Sequence, residues 1–307
     1  MNLLLTGSTG FLGAHLVRRL AGESSVRLGL LIRPSSDRAR LAHLPANALM
    51  IPGDLENLTA AREAIVSFRP DAVVHCAWFG VGNKQRNDPL QIDRNLVPTL
   101  DLLKIAAAAG AKHFIGVGSQ AEYGPANQRI SENHPTHPTT LYGATKLASC
   151  ILCERLSAEL GLRFAWLRVF STYGPMEDPG WLIPYLTQSL LRRERPSLTA
   201  CEQLWDYVYG PDAADAIWDV TRTATATGVF NLGSGQAVPL RRIVEQIRDL
   251  VDCSLPLGIG EVPYRPDQVM HLEADVTRLR QATGWQPRTT LADGLSATVE
   301  YWRSRLA

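Results

Sequence analysis

The first 174 residues alternate between short apolar runs and longer segments whose apolar residues recur with helical spacing. The apolar runs are continuous, as expected for strands that are covered on both faces of a sheet. Strands that alternate with helices predict a doubly wound parallel sheet and therefore an α/β fold. The predicted strands are 2–6, 27–32, 48–51, 72–75, 113–117 and 163–169, and the predicted helices are 11–21, 58–68, 95–109 and 141–160.

The pattern changes after Tyr173-Gly174-Pro175, where prolines become frequent. Helical spacing recurs at 182–193, 212–222, 240–251 and 291–303. This texture predicts a smaller C-terminal α/β lobe, with one segment that returns to the main sheet. We expect a main domain of residues 1–174 plus about 212–234, and a lobe of residues 175–211 and 235–307.

The charge and hydropathy of the chain exclude several classes of function. The net charge is +1, so no electrostatic field favours nucleic acid or an anionic membrane. No apolar stretch approaches the roughly 20 residues that a membrane span needs. The chain opens with a predicted strand and a glycine turn, which leaves no room for a secretion signal. We therefore expect a cytoplasmic protein without nucleic-acid or membrane partners.

The chain contains an odd and scattered set of five cysteines, at positions 76, 150, 153, 201 and 253. Cys150 and Cys153 lie on a predicted helix, but no second pair or nearby histidine completes a metal site. The pair His134 and His137 lacks further ligands in the same way. We expect buried thiols in a reducing compartment and no bound metal.

A glycine-rich turn joins the first predicted strand to the first predicted helix. In Gly7-x-x-Gly10-x-x-Gly13, the first glycine permits a sharp turn, the second lets the backbone approach a pyrophosphate, and the third allows close packing of helix and strand. The helix N-terminus adds unpaired N–H groups and the positive end of the helix dipole. The motif predicts a Rossmann-type dinucleotide-binding site.

The end of the second predicted strand bears on the choice between NAD and NADP. An acidic residue there binds the ribose 2′-hydroxyl of NAD, whereas an arginine accommodates the 2′-phosphate of NADP. This chain has Arg33 at that point, with Ser36 as a further donor. A solvated surface arginine is the alternative interpretation. The residues favour NADP(H) and leave NAD(H) possible.

Tyr142 and Lys146 are four positions apart on a predicted helix, so both side chains lie on one helical face. A nearby ammonium favours the phenolate and would lower the pKa of the tyrosine, which is about 10 when unperturbed. Ser119 ends a predicted strand at the edge where such sheets bind ligands. Its hydroxyl could share a substrate oxygen with Tyr142, or it could merely cap a turn. Together the three residues predict a proton-transfer site.

The order of these motifs resembles that of the extended short-chain dehydrogenase/reductases. More narrowly, the chain is similar to their nucleotide-sugar branch of epimerases, dehydratases and 4-ketoreductases, over nearly its whole length. The motifs that carry the resemblance are Gly7-x-x-Gly10-x-x-Gly13, Asp54, Asn95, Ser119, Tyr142-x-x-x-Lys146, Tyr173-Gly174-Pro175, Tyr264-Arg265-Pro266-Asp267, Ala274-Asp275 and Gly284-Trp285-x-Pro287.

The resemblance implies roles for individual residues. Cofactor contacts are implied for the pyrophosphate-lining Thr9, Gly10, Phe11 and Leu12, for Asp54 and Leu55 at the adenine, for Cys76, Ala77 and Trp78 beneath the ribose, for Lys146 at the nicotinamide ribose, and for Asn95, which would brace the active-site helix. Substrate contacts are implied for Ser119, Gln120 and Glu122 near the sugar, and for Trp181, Leu182, Ile183 and Arg265 at the nucleotide diphosphate.

Two departures from the branch's pattern restrict the activity. Dehydratases of this branch carry an Asp-Glu pair after the catalytic Ser or Thr, where this chain has Gln120-Ala121, and its Glu122 stands one position late. The usual Arg-Asp-Phe reads Trp205-Asp206-Tyr207, which removes a positive charge expected near the substrate phosphates. The sequence therefore disfavours the dehydratase reaction. We also expect the contacts with the nucleotide phosphates to differ from those usual in this branch.

The sequence thus favours an NADPH-dependent reductase that converts a nucleotide-activated 4-keto-6-deoxyhexose to the 4-hydroxy sugar. The alternative is a nucleotide-sugar 4-epimerase that retains NAD, because Ser119, Tyr142 and Lys146 serve both reactions. A more remote alternative is a non-catalytic dinucleotide-sensing protein on the same fold. The resemblance further implies a homodimer through the helices that carry Asn95 and Tyr142.

Overall fold

The computed structural model describes residues 1–42, 44–266 and 268–306. The strands are β1 (Asn2–Thr6), β2 (Arg27–Ile32), β3 (Leu49–Pro52), β4 (Ala72–His75), β5 (His113–Ser119), β6 (Gln128–Ile130), β7 (Arg163–Val169), β8 (Ser171–Tyr173), β9 (Ser197–Leu198), β10 (Leu204–Tyr209), β11 (Gly228–Leu232), β12 (Ala237–Pro239), β13 (Gly258–Ile259) and β14 (His271–Ala274). The helices are α1 (Phe11–Leu20), α2 (Thr59–Phe68), α3 (Val97–Ala108), α4 (Leu141–Glu159), α5 (Leu182–Leu191), α6 (Gly210–Arg222), α7 (Leu240–Val251), α8 (Thr277–Thr283) and α9 (Leu291–Leu306).

A parallel sheet in the order β11-β7-β5-β4-β1-β2-β3 forms the centre of the main domain. The strand order reverses between β1 and β4, and such a reversal opens a crevice at the carboxyl edge of the sheet. Apolar side chains from both faces of the sheet form two separate cores under the flanking helices. The predicted doubly wound α/β fold is confirmed.

The apolar runs located most of these strands accurately. Four strands, β1, β2, β4 and β7, have the predicted bounds, while β3 is displaced by one residue. Strand β5 runs two residues further than predicted, to Ser119, because its outer residues are glycine and serine rather than apolar. The predicted helix 95–109 begins at Val97, after a π-helical turn over Ile92–Leu96.

A second sheet, in the order β12-β10-β14-β6 with β8 also paired to β10, forms the lobe. The sequence predicted an α/β lobe but did not locate these strands, most of which are only three or four residues long. Strands β6 and β8 come from the first 174 residues, yet they pair with lobe strands. In the other direction, β11 joins the main sheet beside β7, and α8 packs against β11 and α6. The division of the chain into domains stays a prediction.

Trp166, on the neighbouring sheet strand β7, packs closely against β5, the strand that ends at Ser119. The indole of Trp166 lies across Gly116 and Gly118 of β5, and a Cβ atom at either glycine would collide with it. Trp166 is fully buried in the core and donates its indole N–H to Glu122 at 2.9 Å. The two glycines are therefore required by this close approach of ring and backbone.

The connection from β8 to α5 buries a carboxyl group. Glu177 is 7% exposed, and its Oε2 atom has no hydrogen-bond partner in the part of the chain that the structure describes. Burial raises the pKa of this carboxyl well above its ordinary value, and the charge of Asp178 acts in the same direction. An ionised Glu177 is therefore costly to bury.

Replacing this carboxyl by an amide should change how stability depends on pH. The pKa of Glu177 is higher in the folded than in the unfolded chain. The contribution of Glu177 to stability therefore falls as the pH rises above the ordinary pKa of a glutamate. Glu177→Gln should therefore raise the melting temperature, and the rise should be larger at about pH 8 than at about pH 5. Each kcal/mol gained in the free energy of unfolding corresponds to about 2–4 °C. Thermal unfolding followed by circular dichroism at both pH values measures the effect.

Glu159→Gln is the matched control, because Glu159 is exposed at the end of α4. A Glu177→Gln protein whose melting temperature stays level with the native and control proteins at both pH values would contradict the prediction.

Candidate active site

The glycine turn after β1 is built closely against the end of β4. Gly7 has a φ of +72°, and a Cβ there would lie 2.5 Å from the Ala77 nitrogen and 2.8 Å from the Cys76 carbonyl carbon. A Cβ at Gly13 would collide with the Gly7 carbonyl. Gly10, in contrast, meets only the Gly7 oxygen, at 3.2 Å. Gly7 and Gly13 thus serve packing, and the outer side of Gly10 stays open for a ligand.

Helix α1 starts at this turn without a capping side chain. Gly10 is its N-cap residue, and the first turn, which contains Phe11, Leu12 and Gly13, holds no acidic residue. The N–H groups at the start of a helix that lacks such partners can bind the oxygens of a pyrophosphate. The open loop from Thr9 to Gly13 therefore fits the phosphates of a dinucleotide.

Arg33, Ser36, Asp54 and Leu55 follow the carboxyl ends of β2 and β3, next to the glycine turn. Arg33 is exposed and follows Ile32 directly, and its carbonyl accepts the Ser36 N–H at 3.0 Å. Asp54 and Leu55 are half-buried just beyond β3. Because β1, β2 and β3 are neighbours and parallel, these residues lie along one edge of the sheet. This is the edge where an adenosine end would lie.

The sequence did not single out Arg40, which links this edge to the lobe. Its Nε atom donates to the Met176 carbonyl at 2.9 Å, and Nη1 donates to the Thr9 carbonyl at 3.2 Å. The neighbouring His15 Nε2 lies 3.1 Å from the Pro175 carbonyl, and burial lowers the pKa of His15 to about 4. The His15 ring is therefore neutral, and its Nε2–H donates to that carbonyl.

Asn95 braces the loop after β4 rather than the active-site helix. It is buried, its Oδ1 accepts the Phe79 N–H at 2.7 Å, and its Nδ2 donates to the Gln91 carbonyl at 2.9 Å. Trp78 in the same loop donates its indole N–H to the Gln91 side chain at 2.9 Å. The amide of Asn95 is thus bonded within the protein, to Phe79 and Gln91, and its predicted cofactor contact stays a prediction.

Ser119 caps the short 3₁₀ turn Gln120–Glu122, and its Oγ accepts the Ala121 N–H at 3.2 Å. Glu122 returns a bond, because its Oε1 accepts the Ser119 N–H at 2.8 Å. The other Glu122 oxygen accepts from Arg168 Nε at 2.7 Å, and this ion pair is buried on both sides. Both oxygens of Glu122 are committed to the protein, so we withdraw it from the predicted substrate contacts.

Tyr142 lies in the first turn of α4 and is buried beside Ser119. Trp78 meets its ring edge-on, with ring centroids 6.3 Å apart. Lys146, one turn further along, is buried and donates to the Val117 carbonyl at 2.6 Å. Its Nζ lies 3.6 Å from the centroid of the Trp78 ring. The predicted serine, tyrosine and lysine thus converge at the end of β5.

The electrostatics of this group differ from the expectation. Burial raises the pKa of Tyr142, although a hydrogen bond with the Ser119 side chain and the charge of Arg86 act in the opposite direction. Burial lowers the pKa of Lys146 to about 7, against the opposing effect of Glu122 and Cys76. The net direction for Tyr142 is thus upward, and the Lys146 amine is held by Val117 and lies 6.0 Å from the Tyr142 ring centroid. That Lys146 lowers the pKa of Tyr142 stays a prediction.

Arg86 is the second residue that the sequence did not single out. Its guanidinium carbon lies 5.3 Å from the Tyr142 ring centroid, and its carbonyl accepts the Tyr142 N–H at 2.8 Å. No spacing rule links it to Tyr142, because it lies on a loop far back in the chain. The only hint of this placement in the sequence is that the loop between β4 and Asn95 carries positive charge.

The residues predicted to hold the nucleotide lie in the lobe. Trp181 precedes α5 and is half-buried, as is Leu182, whereas Ile183 is buried in the apolar core of the lobe and offers no side-chain contact. Arg265 is exposed in the loop between β13 and β14, and Asp267 of the same motif lies outside the described residues. Gln120 is half-buried beside Ser119.

The departure Trp205-Asp206 has a structural explanation. Trp205 donates its indole N–H to the Ser171 hydroxyl at 2.7 Å, which ties β10 to β8. Asp206 is fully buried and accepts N–H groups from Ser234, Gly235 and Ala274. These two side chains hold the lobe sheet and the loop after β11 together.

The described residues contain neither a metal-ligand cluster nor a membrane-spanning helix. In residues 1–42, 44–266 and 268–306, no group of three or more histidine, cysteine or acidic side chains could hold a metal ion. Within the same ranges, no helix combines the length and the apolar character needed to cross a bilayer. The five cysteines have free thiols, and burial raises the pKa of Cys153 to about 12.

An open glycine turn that leads along one sheet edge to a tyrosine and a lysine is the arrangement of an enzyme of the NAD(P)-dependent oxidoreductase type. Comparison with known proteins narrows this class. The model of the NAD dependent epimerase/dehydratase family matches residues 3–233, and the chain belongs to this family.

The relatives of the chain act on nucleotide sugars. It is 28% identical to a UDP-glucose 4-epimerase of Mycolicibacterium smegmatis, over 99% of each chain. It is 26% identical to a GDP-6-deoxy-D-mannose reductase of Pseudomonas aeruginosa, over 99% of this chain and 98% of the relative. A Thermus thermophilus UDP-glucose 4-epimerase solved with NAD has a TM-score of 0.86 and 25% identity, over 99% of both chains. Other solved relatives hold UDP-glucose, one of them together with NAD.

Removing the phenolic oxygen of Tyr142 should abolish most of the turnover. Because general acid catalysis contributes about 10²–10⁴-fold, Tyr142→Phe should lose at least 10²-fold in kcat. Cofactor affinity, measured by quenching of tryptophan fluorescence, should change little. Tyr301→Phe on α9 is the matched control and should behave as the native protein. Near-native turnover of Tyr142→Phe would remove Tyr142 from the role of proton donor.

Proposed function

We propose that the protein reduces a nucleotide-activated 4-keto-6-deoxyhexose to the 4-hydroxy sugar with NADPH. The observation that carries the proposal is the exposed Arg33 at the end of β2, on the same sheet edge as Ser119, Tyr142 and Lys146. An arginine at this point suits the 2′-phosphate of NADP. Cells generally hold the NADP(H) pool reduced, which suits a one-way reduction.

The proton of the proposed reaction comes from the chain itself. Tyr142 donates its phenolic proton to the keto oxygen of the substrate, and the Ser119 hydroxyl donates a hydrogen bond to the same oxygen. Lys146, positioned by the Val117 carbonyl, would hold the nicotinamide ribose. A nicotinamide bound there would supply the hydride for the keto carbon. Oxygen and carbon together thus gain one proton and one hydride, which balances the reduction.

Two further features support a reductase over a dehydratase. Gln120 and Ala121 follow Ser119, and neither side chain can act as an acid or a base. Glu122, which could do so, has both oxygens bonded within the protein. The Pseudomonas aeruginosa relative, a reductase of a 6-deoxyhexose nucleotide by its name, covers nearly the whole chain.

A nucleotide-sugar 4-epimerase that retains NAD is the second candidate. The Mycolicibacterium smegmatis relative is such an epimerase by name, and the solved Thermus thermophilus relative contains NAD. Ser119, Tyr142 and Lys146 would serve this reaction equally well, since it consists of an oxidation followed by a reduction. The fate of the cofactor separates the two: an epimerase retains it, and a reductase must release it in each turnover.

A homodimer through α3 and α4 is also part of the proposal. Four apolar side chains on these helices and on the π-helical turn are 43–57% exposed: Ile92, Val97, Ile151 and Leu152. Exposed apolar side chains on neighbouring helices are typical of a subunit interface. Sedimentation of the purified protein measures the state, and a monomer at micromolar concentration would contradict this part of the proposal.

Substrate turnover tests the proposed reaction directly. With a 4-keto-6-deoxy nucleotide sugar, the purified protein should oxidise NADPH in proportion to the sugar added, and it should arrive largely free of cofactor. With a nucleotide-activated glucose, it should form no 4-keto-6-deoxy product. NAD that co-purifies, with interconversion of 4-hydroxyl epimers and no net cofactor consumption, would establish the epimerase instead.

Arg33 should determine the cofactor preference. The native protein should bind NADPH more tightly than NADH, and Arg33→Ala should narrow the difference by about 10- to 100-fold, the worth of one charge-assisted hydrogen bond. Titration of cofactor fluorescence measures both affinities. Arg155→Ala, which removes an exposed arginine from α4, is the matched control. Equal affinities of the native protein for the two cofactors would contradict the assignment.

A further inference from the structure

Lys146 is a buried amine with few groups that compensate its charge. It is 3% exposed, and one of its three N–H groups donates to the Val117 carbonyl at 2.6 Å. A charge that is buried without a partner is costly, and burial lowers the pKa of Lys146 to about 7. Glu122 favours the charged form of Lys146, but its carboxylate is already ion-paired with Arg168.

Three other titratable groups around the Lys146 amine are uncharged at neutral pH. Burial lowers the pKa of His75 on β4 to about 3 and raises the pKa of Cys76, in the loop after β4, to about 12. Burial also raises the pKa of Tyr142, on α4 itself. None of these three groups adds a charge that could stabilise an ammonium in this place.

The indole of Trp78 lies directly against this amine. The Lys146 Nζ atom is 3.6 Å from the centroid of the Trp78 ring, whereas it is 6.0 Å from the centroid of the Tyr142 ring. A nitrogen this close cannot lie in the plane of the indole, because the ring atoms and their hydrogens would overlap it, so it lies over the face. The face of an aromatic ring is its negative side, and tryptophan attracts a cation there most strongly when both groups are desolvated.

Trp78 is held in this place by buried amide groups. Its indole N–H donates to Gln91 Oε1 at 2.9 Å, and Asn95 Nδ2 donates to the same oxygen at 3.1 Å. Gln91 is fully buried, and its Nε2 donates to the Gly80 and Gln85 carbonyls at 2.7 and 3.0 Å. These bonds determine which way the Gln91 amide points and thereby fix the indole of Trp78.

We propose that Trp78 is a positioning residue for Lys146: its indole face carries the charge of the buried ammonium and fixes the Nζ atom beside the end of β5. The inference rests on the proposed role of Lys146 at the nicotinamide ribose. A lysine that stays charged there can hold the ribose hydroxyls and favour the phenolate of Tyr142, as the sequence predicts. Trp78 thus acts through Lys146, in addition to any contact of its own with the cofactor.

A fluorination series at position 78 tests this role of the indole while keeping the shape of the ring. Site-specific replacement of Trp78 by mono-, di- and trifluorotryptophan withdraws electrons from the ring face and therefore weakens its attraction for a cation. The chain has four lysines, so ¹³C NMR of lysine labelled at Cε resolves Lys146, whose signal is assigned by its loss in Lys146→Met. The titration midpoint of Lys146 should fall with each added fluorine, by about 1 pKa unit over the series.

Phe79, the next residue in the chain, provides the matched control. Its ring lies under Arg94, whose guanidinium carbon is 4.2 Å from the ring centroid. Fluorinated phenylalanines at position 79 therefore withdraw electrons from a neighbouring ring that contacts another cation, and they should leave the Lys146 midpoint unchanged. A midpoint that stays level when Trp78 is fluorinated, or that moves equally when Phe79 is fluorinated, would overturn the inference.

The pH dependence of cofactor affinity measures the consequence for binding. Trp78→Leu removes the aromatic face, so Lys146 should lose its proton at a pH about 1 unit lower than in the native protein. Because the pKa of Lys146 is already about 7, the affinity for NADPH should fall about 10-fold at pH 8 and by no more than about 2-fold at pH 6. Trp78→Phe, which keeps a smaller aromatic face, should give an intermediate result.

Two results would show that Trp78 does something else and would overturn the inference. An equal loss of NADPH affinity at both pH values, with an unmoved Lys146 midpoint, would mean that Trp78 only contacts the cofactor. A raised Lys146 midpoint in Trp78→Leu, with no effect of fluorination, would mean that the indole only excludes water. The NMR titrations use neither cofactor nor sugar, so they decide the inference even if the proposed reaction is wrong.

Discussion

The active-site end of β5 depends on one buried carboxylate. Glu122 is fully buried and accepts hydrogen bonds from the Ser119 N–H, the Trp166 indole and the Arg168 guanidinium. It thereby joins the last residue of β5 to two side chains of β7. Loss of one partner of a buried ion pair leaves a buried charge unpaired, at a cost of about 3–5 kcal/mol. The position of Ser119 therefore depends on Arg168 as much as on β5.

This pair also shapes the electrostatics of the cleft. The carboxylate of Glu122 is already compensated by Arg168, so it only partly offsets the cost of burying Lys146. Arg86 adds a second cation above Tyr142. The cleft therefore holds the Arg86 guanidinium, the buried amine of Lys146 and a neutral phenol, which suits the anionic ligands and the proton donor of the proposed reaction.

The main domain and the lobe are joined at the segment that follows β8. His15 of α1 binds the Pro175 carbonyl, and Arg40 bridges the Met176 and Thr9 carbonyls. The same segment buries Glu177, one of whose oxygens has no hydrogen-bond partner among the residues that the structure describes. The loop that would hold the pyrophosphate is thus bonded, through Arg40, to the segment that follows β8.

Local sequence determined the main strands and the motifs of the candidate site. Continuous apolar runs located the main strands, and the glycine spacing and the helical spacing of Tyr142 and Lys146 depend only on neighbours in the chain. Tertiary structure decided the rest. The lobe strands are short and form by pairing across distant segments. The partners of Glu122, and the placing of Arg86 over Tyr142, follow from which strands and loops become neighbours, because charge and burial act through space and leave no periodic signal in the sequence.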